Sequence, residues 1–92
     1  MLELQYTKDA ERFVMALPKK QAGQIVRRVE LLRSEPHAQD TKQLQGYALF
    51  RRADIGEYRI IYFIDKTVLR IVMIGKRNDD DIYRKLSRKL RG

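Results

Sequence analysis

Hydrophobic positions along the 92-residue chain change period several times. Leu2, Leu4 and Tyr6 alternate with Glu3 and Gln5, a period of two that predicts a short strand. Ala10, Phe13, Val14 and Leu17 then fall at i, i+3, i+4 and i+7, one face of a helix that Thr7 can cap. Pro18 stops this helix and suits the first turn of the next. The second stripe is Ala22, Ile25, Val26, Val29 and Leu32, with Arg27, Arg28 and Glu30 expected outward. Gly23 costs that helix about 1 kcal/mol against Ala and is expected to let the two helices pack closely. Pro36 ends it, and residues 36–46 read as a polar connection.

From there the pattern is strand-like. Three runs rich in Tyr, Phe, Ile and Val cover Tyr47 to Asp54, Tyr58 to Asp65 and Thr67 to Ile74. Their connections, at Gly56 and at Asp65-Lys66, are short enough to favour antiparallel neighbours. Asp79, Asp80 and Asp81 open a last helix in which Ile82, Leu86 and Leu90 share a face, and its acidic start and basic end both suit the helix dipole. The predicted order is β-α-α-β-β-β-α. The expected class is α+β, a small antiparallel sheet covered by two N-terminal helices, with residues 1–92 as one domain. Ile60, Tyr62 and Ile64 are expected under those helices, which leaves Arg59, Ile61 and Phe63 on the open face.

Composition narrows the chemistry. Cysteine is absent and there is one histidine, so thiol nucleophiles, disulfide frameworks, thiolate zinc sites and two-histidine mechanisms are excluded. No run reaches the roughly 20 apolar residues of a membrane span, and the charged N-terminus is unlike a signal peptide. The expected location is the cytoplasm, with no membrane partner. The net charge is +8. It is uneven: residues 1–49 carry eight basic and six acidic residues, and residues 50–92 carry twelve and six. Such a field steers polyanions, nucleic acid above all, although it also keeps a protein soluble.

Arginines set among strand residues need a reason, because an unpaired guanidinium is costly to bury. Arg52 and Arg59 lie on adjacent predicted strands and Arg77 where the chain leaves the sheet. In a meander the three can converge on one face, a seat suited to a phosphate held by planar guanidinium forks. Asp54 shares the face of Arg52, where it pairs with that arginine or accepts a proton. The plainer reading of these charges is cross-strand pairing of Arg52 and Arg59 with Asp54 and Glu57. Tyr83 sits one position off the stripe of the last helix and is expected to be partly exposed. His37 reads as a solvated loop residue, the three aspartates as dipole partners rather than metal ligands, and Tyr47, Tyr58 and Tyr62 as sheet packing.

Leu-x-Gly-Tyr at Leu44 to Tyr47, Gly-Glu-Tyr-Arg-Ile-Ile-Tyr at Gly56 to Tyr62, and Gly-Lys-Arg-x(5)-Tyr at Gly75 to Tyr83 resemble the RelE/ParE toxin superfamily over essentially the whole chain. The resemblance implies the toxin of a bacterial type II toxin–antitoxin pair. RelE-type members cut mRNA in the ribosomal A site, whereas ParE-type members inhibit DNA gyrase and lack the ribonuclease residues. The matching catalytic positions here are Arg52, Arg59, Arg77 and Tyr83, which favours the ribonuclease branch; the alternatives are a ParE-like gyrase inhibitor without chemistry of its own and a nucleic-acid-binding module without catalysis. Arg51, Lys76, Arg84 and Lys85 are expected as RNA contacts. Two departures are Asp54, where relatives are often basic, and Phe50, where some have lysine. The implied partners are a cognate antitoxin, mRNA and the ribosome, with operator DNA reached through the antitoxin. No metal or organic cofactor is implied.

The physics of RNA cleavage agrees with these roles. Arg59 and Arg77 can neutralise charge developing on the phosphate, and arginine remains protonated, so it is no base. Tyr83 can donate a proton or orient the 2′-hydroxyl. Asp54, Lys76 or a ribosomal group is left as the base. A set this poor in acid–base groups is expected to be slow on free RNA and to depend on positioning by the ribosome.

Overall fold

Thr7 joins the first strand to the first helix. Its hydroxyl accepts the Ala10 amide at 3.2 Å as the helix cap and donates to the Val72 carbonyl at 2.7 Å, while its own amide donates to Ile71 at 3.0 Å. A computed structural model describes residues 1–78 and 81–91, so the expectations for Asp79 and Asp80 lie outside the described residues. The elements are β1 (Glu3–Tyr6), α1 (Lys8–Met15), α2 (Lys19–Ser34), β2 (Lys42–Leu44), β3 (Tyr47–Ile55), β4 (Tyr58–Asp65), β5 (Val68–Lys76) and α3 (Asp81–Arg91).

The expected element order is present, with one short strand added. β2 forms inside the predicted polar connection and pairs with β3. Three residues, Lys-Gln-Leu, carry too little alternation to announce a strand. The sheet order is β1-β5-β4-β3-β2, antiparallel throughout except that β1 joins β5 in parallel.

Both faces of the sheet are covered. Under α1 and α2 lie Ala10, Ile25, Val29 and Leu32 against Ala53, Tyr58, Ile60, Tyr62, Leu69, Ile71 and Ile74, with Ile64 at the margin. The predicted facing of Ile60, Tyr62 and Ile64 is therefore observed. The second face is less open than expected, because Ile82 and Leu86 of α3 pack on Leu44, Phe50, Ile61, Val72 and Met73. Burying two such side chains contributes roughly 1.5–3 kcal/mol each. Leu90, expected on the same stripe, is half exposed, so the apolar seat of α3 lies in its first two turns, while Lys89 of the last turn pairs with Asp9 of α1 at 3.1 Å. Val26 is also nearly half exposed. Arg28, expected outward, instead lies against the protein and pairs with Asp40 at 2.8 Å. A Cβ on Gly23 would meet only Arg27 of its own helix, so this glycine does not serve close helix packing.

Two local features set which side chains share a face. Gly56, with φ of 57°, makes the two-residue turn between β3 and β4 and brings Asp54 opposite Arg59. In β5 the register slips by one residue, with Ile61 facing Met73 and Tyr62 facing Ile71. The extra residue, Val72, resets the alternation. Ile74 then falls under the helices and Gly75 falls opposite Arg59 on the other face. The carbonyls around this bulge are the ones Thr7 engages. Thr7→Val is accordingly expected to lower stability by about 1–2 kcal/mol in urea unfolding; an unchanged midpoint would contradict the role given to the hydroxyl.

Candidate active site

Asp54 and Arg59 are directly paired residues of β3 and β4. Arg59 donates from Nε to Asp54 Oδ1 at 2.8 Å and from Nη2 to Oδ2 at 3.3 Å, a two-point contact. Its third edge, Nη1, donates to the Tyr83 hydroxyl at 2.5 Å. Arg52, two residues before Asp54 on the same face, brings Nη1 to 3.7 Å from Oδ2. Arg77, just beyond β5, brings Nε to 3.9 Å from the same oxygen. The turn holds Arg77 there: its amide donates to the Glu57 carbonyl at 2.9 Å and its Nη1 to the Gly56 carbonyl at 3.3 Å.

Arg52, Arg59, Arg77 and Tyr83 are thus brought together, with Asp54 at their centre. The cross-strand pairing reading is realised for Arg59 with Asp54, and it coexists with the convergence. The Arg59 hydrogen bond, followed by the charges of Arg59, Arg77 and Arg52, holds the Asp54 carboxyl below its ordinary range against the opposing effect of burial. The same hydrogen bond raises Arg59 above the usual guanidinium value. Asp54 is therefore ionised and only weakly basic. Surrounded by three cations, it is also a poor ligand for a metal.

Tyr83 depends on how α3 is seated. Ile82 lies directly over Gly75, where an added Cβ would come within 3.1 Å of Ile82 Cδ1. The glycine lets α3 approach β5 closely enough for the next residue to reach Arg59. As expected, Tyr83 is partly exposed. A cleft of about 490 Å³ beside it is lined by Lys42, Gln43, Leu44, Gln45, Arg52 and Tyr83. The β2 residues of this cleft were not among the sequence candidates; the Leu44-x-Gly-Tyr motif next to them was the available signal.

Other candidates lie elsewhere. Arg51 points away from Arg52, opposite Tyr62, and donates to Thr41 Oγ1 at 2.8 Å. Lys76 pairs across from Tyr58 and is exposed. Arg84 is exposed on α3. Lys85 pairs with Asp81 at 3.4 Å and lines a separate groove between α1, β5 and α3. His37 is exposed, Phe50 is buried under α3, and Tyr58 and Tyr62 are buried in the sheet core.

The sequence model describing the ParE toxin of type II toxin–antitoxin systems, parDE, matches residues 4–81. The chain belongs to the ParE toxin family. No curated protein sequence matches this ParE-family toxin. Among solved structures it is similar to a chain of the RelBE2 toxin–antitoxin complex from Mycobacterium tuberculosis, at 28% identity over 83% of this chain and 98% of that one, with a TM-score of 0.72. It is also similar to a chain of the archaeal RelE–RelB complex from Pyrococcus horikoshii, at 24% identity over 83% and 94%, TM-score 0.72. The isolated RelE toxin of E. coli aligns over 98% of this chain and 99% of its own, at 17% identity and a TM-score of 0.74. The last two likenesses speak to the fold, which is RelE-like. Among the described residues of the toxin no helix is long and apolar enough to cross a membrane.

Two outcomes follow from this geometry. The toxin's folded state binds a proton at Asp54 less readily than the unfolded state, so the stabilisation from Asp54 is complete above about pH 4 and is lost as the pH falls through the lower folded value. Urea unfolding of wild type and Asp54→Asn is expected to give a stability gap at pH 6 that closes towards pH 2; a constant gap would contradict it. Asp40, likewise lowered by Arg28, titrates in both proteins and cancels. Gly75→Val is expected to cost about 1–3 kcal/mol by overpacking under Ile82, and a neutral effect would show that α3 is not seated on this glycine.

Proposed function

We propose that this toxin is a ribosome-dependent endoribonuclease that cuts mRNA in the ribosomal A site and so inhibits translation. The observation carrying the proposal is the convergence of Arg52, Arg59, Arg77 and Tyr83 from β3, β4, the end of β5 and α3 on one point. In the proposed reaction the 2′-oxygen forms a bond to the adjacent phosphorus and the bond to the 5′-oxygen breaks, leaving a cyclic phosphate and a free 5′-hydroxyl. The net positive charge of the cluster stabilises the added negative charge on the phosphate oxygens. The Tyr83 oxygen accepts from Arg59, so the phenolic proton is directed elsewhere and is available to the departing 5′-oxygen. Asp54 is too firmly held by cations to take the 2′ proton, and Lys76 faces the other side of the sheet. That proton passes to a group of the ribosome or to water. Alignment of the 2′-oxygen with the leaving group is the ribosome's part, and positioning of this kind can remove about 7–11 kcal/mol of barrier.

A second reading rests on the ParE family match itself. Here the toxin inhibits DNA gyrase by binding alone, and the arginine cluster is a surface feature. In either reading we take the toxin to pair with a cognate antitoxin, which covers it and links it to operator DNA. The antitoxin partner is supported by the relatives solved as RelB–RelE complexes. The basic exposed face of α3 is then the surface offered to ribosomal RNA.

Primer extension on a defined mRNA, with and without programmed ribosomes, separates the readings. Wild type is expected to cut at A-site codons only when ribosomes are present. Arg77→Ala is expected to abolish the cuts, and Tyr83→Phe to slow them on the order of 100-fold without loss of ribosome binding. No cuts by wild type, together with inhibited gyrase supercoiling, would establish the second reading.

A further inference from the structure

We propose that Asp54 is a positioning residue that commits Arg59 to Tyr83 and leaves Arg52 and Arg77 to take the phosphate. The inference rests on the endoribonuclease reading and divides the work of its site. Arginine binds carboxylate and phosphate through the same planar fork of two N–H groups. In Arg59 that fork is occupied, with Nε and Nη2 on Asp54 at 2.8 and 3.3 Å and the remaining nitrogen on the Tyr83 hydroxyl. It cannot offer a bidentate face to a phosphate without releasing Asp54. Arg52 and Arg77 stand differently. They approach Asp54 at 3.7 and 3.9 Å, beyond hydrogen-bonding distance, so attraction aims them at the same point; Arg77 also donates from Nη1 to the Gly56 carbonyl at 3.3 Å, which leaves its Nε–Nη2 edge, like the fork of Arg52, for an incoming anion. Their side chains are 26% and 48% exposed against 14% for Arg59, so the two open forks are also the accessible ones.

Charge and space agree. Three guanidinium groups against one carboxylate leave two positive charges, enough to attract a phosphodiester despite Asp54. The cleft beside the cluster is bordered by Arg52 and Tyr83 together with Lys42 and Gln45, and neither Arg59 nor Arg77 lines it. A nucleotide seated there meets Arg52 and Tyr83, whose hydroxyl Arg59 holds, and Arg77 reaches its phosphate from outside the cleft. Asp54 thus acts on the reaction through Arg59 and Tyr83 without touching RNA.

The arginine side-chain N–H signals of ¹⁵N-labelled toxin, titrated with inorganic phosphate against chloride of equal ionic strength, test this division. Phosphate is expected to shift the Arg52 and Arg77 signals saturably and to leave Arg59 in place. In Asp54→Asn, Arg59 is expected to shift with the other two. Arg59 moving in step with Arg52 and Arg77 in the wild type, or staying fixed in Asp54→Asn, would overturn the assignment alone. No response from any of the three would overturn the phosphate seat, and A-site cutting by the same wild-type protein would show that the endoribonuclease reading stands without it. In single-turnover cutting on programmed ribosomes, Asp54→Asn is expected to be about 10- to 100-fold slower with ribosome occupancy unchanged, the scale of a misplaced catalytic group. Asp54→Glu, which can still pair with Arg59, is expected to recover part of the rate. An unchanged rate in Asp54→Asn would also overturn the assignment.

Discussion

Three guanidinium groups do not gather at one point unaided. Each pair of like charges at partly buried positions repels by an amount on the order of a few kcal/mol, and nothing in a strand's alternation removes that repulsion. Asp54 does, by accepting two hydrogen bonds from Arg59 and attracting Arg52 and Arg77 from just beyond contact. The cluster therefore exists as a shape before any ligand arrives. Its net charge stays positive, so the carboxylate organises the site without closing it to anions.

The backbone makes this arrangement possible in two places far apart in the chain. The Gly56 turn sets the register that puts Asp54 opposite Arg59, and its carbonyl also steadies Arg77. The bulge at Val72 turns Gly75 towards the same face, where the missing side chain admits Ile82 and brings Tyr83 within reach of Arg59. Thr7 ties this bulge to the cap of α1. Packing on one face of the sheet is thereby coupled to the placement of functional groups on the other.

Much of this was legible in the residues. Periods of two and of 3.6 gave the element order, and the alternation Arg59, Ile60, Ile61, Tyr62 gave the correct faces of β4. The convergence of Arg52, Arg59 and Arg77 followed from a meander plus the exit of the chain after β5. What escaped notice depended on tertiary detail. β2 is three residues long. The parallel pairing of β1 with β5 joins elements more than sixty residues apart. The exposure of Leu90 and the inward turn of Arg28 reflect where each helix meets its neighbours, which periodicity alone does not encode. Pairing of Arg59 with Asp54 across the hairpin was legible as the plainer reading of the charges, but that it coexists with the convergence of Arg52 and Arg77 and with the Tyr83 contact required the tertiary structure.

The ParE family match and the RelE-like fold leave the toxin between a binder and an enzyme, and Asp54 bears directly on that distinction. A surface salt bridge would act independently of Tyr83. A positioning residue acts through it. The most direct test is a double-mutant cycle on the single-turnover cutting rate with Asp54→Asn and Tyr83→Phe. The expected result is that the double variant loses clearly less than the product of the two single losses, because removing the phenol removes the part of Asp54's role that runs through Arg59. Multiplication of the two losses would contradict the account.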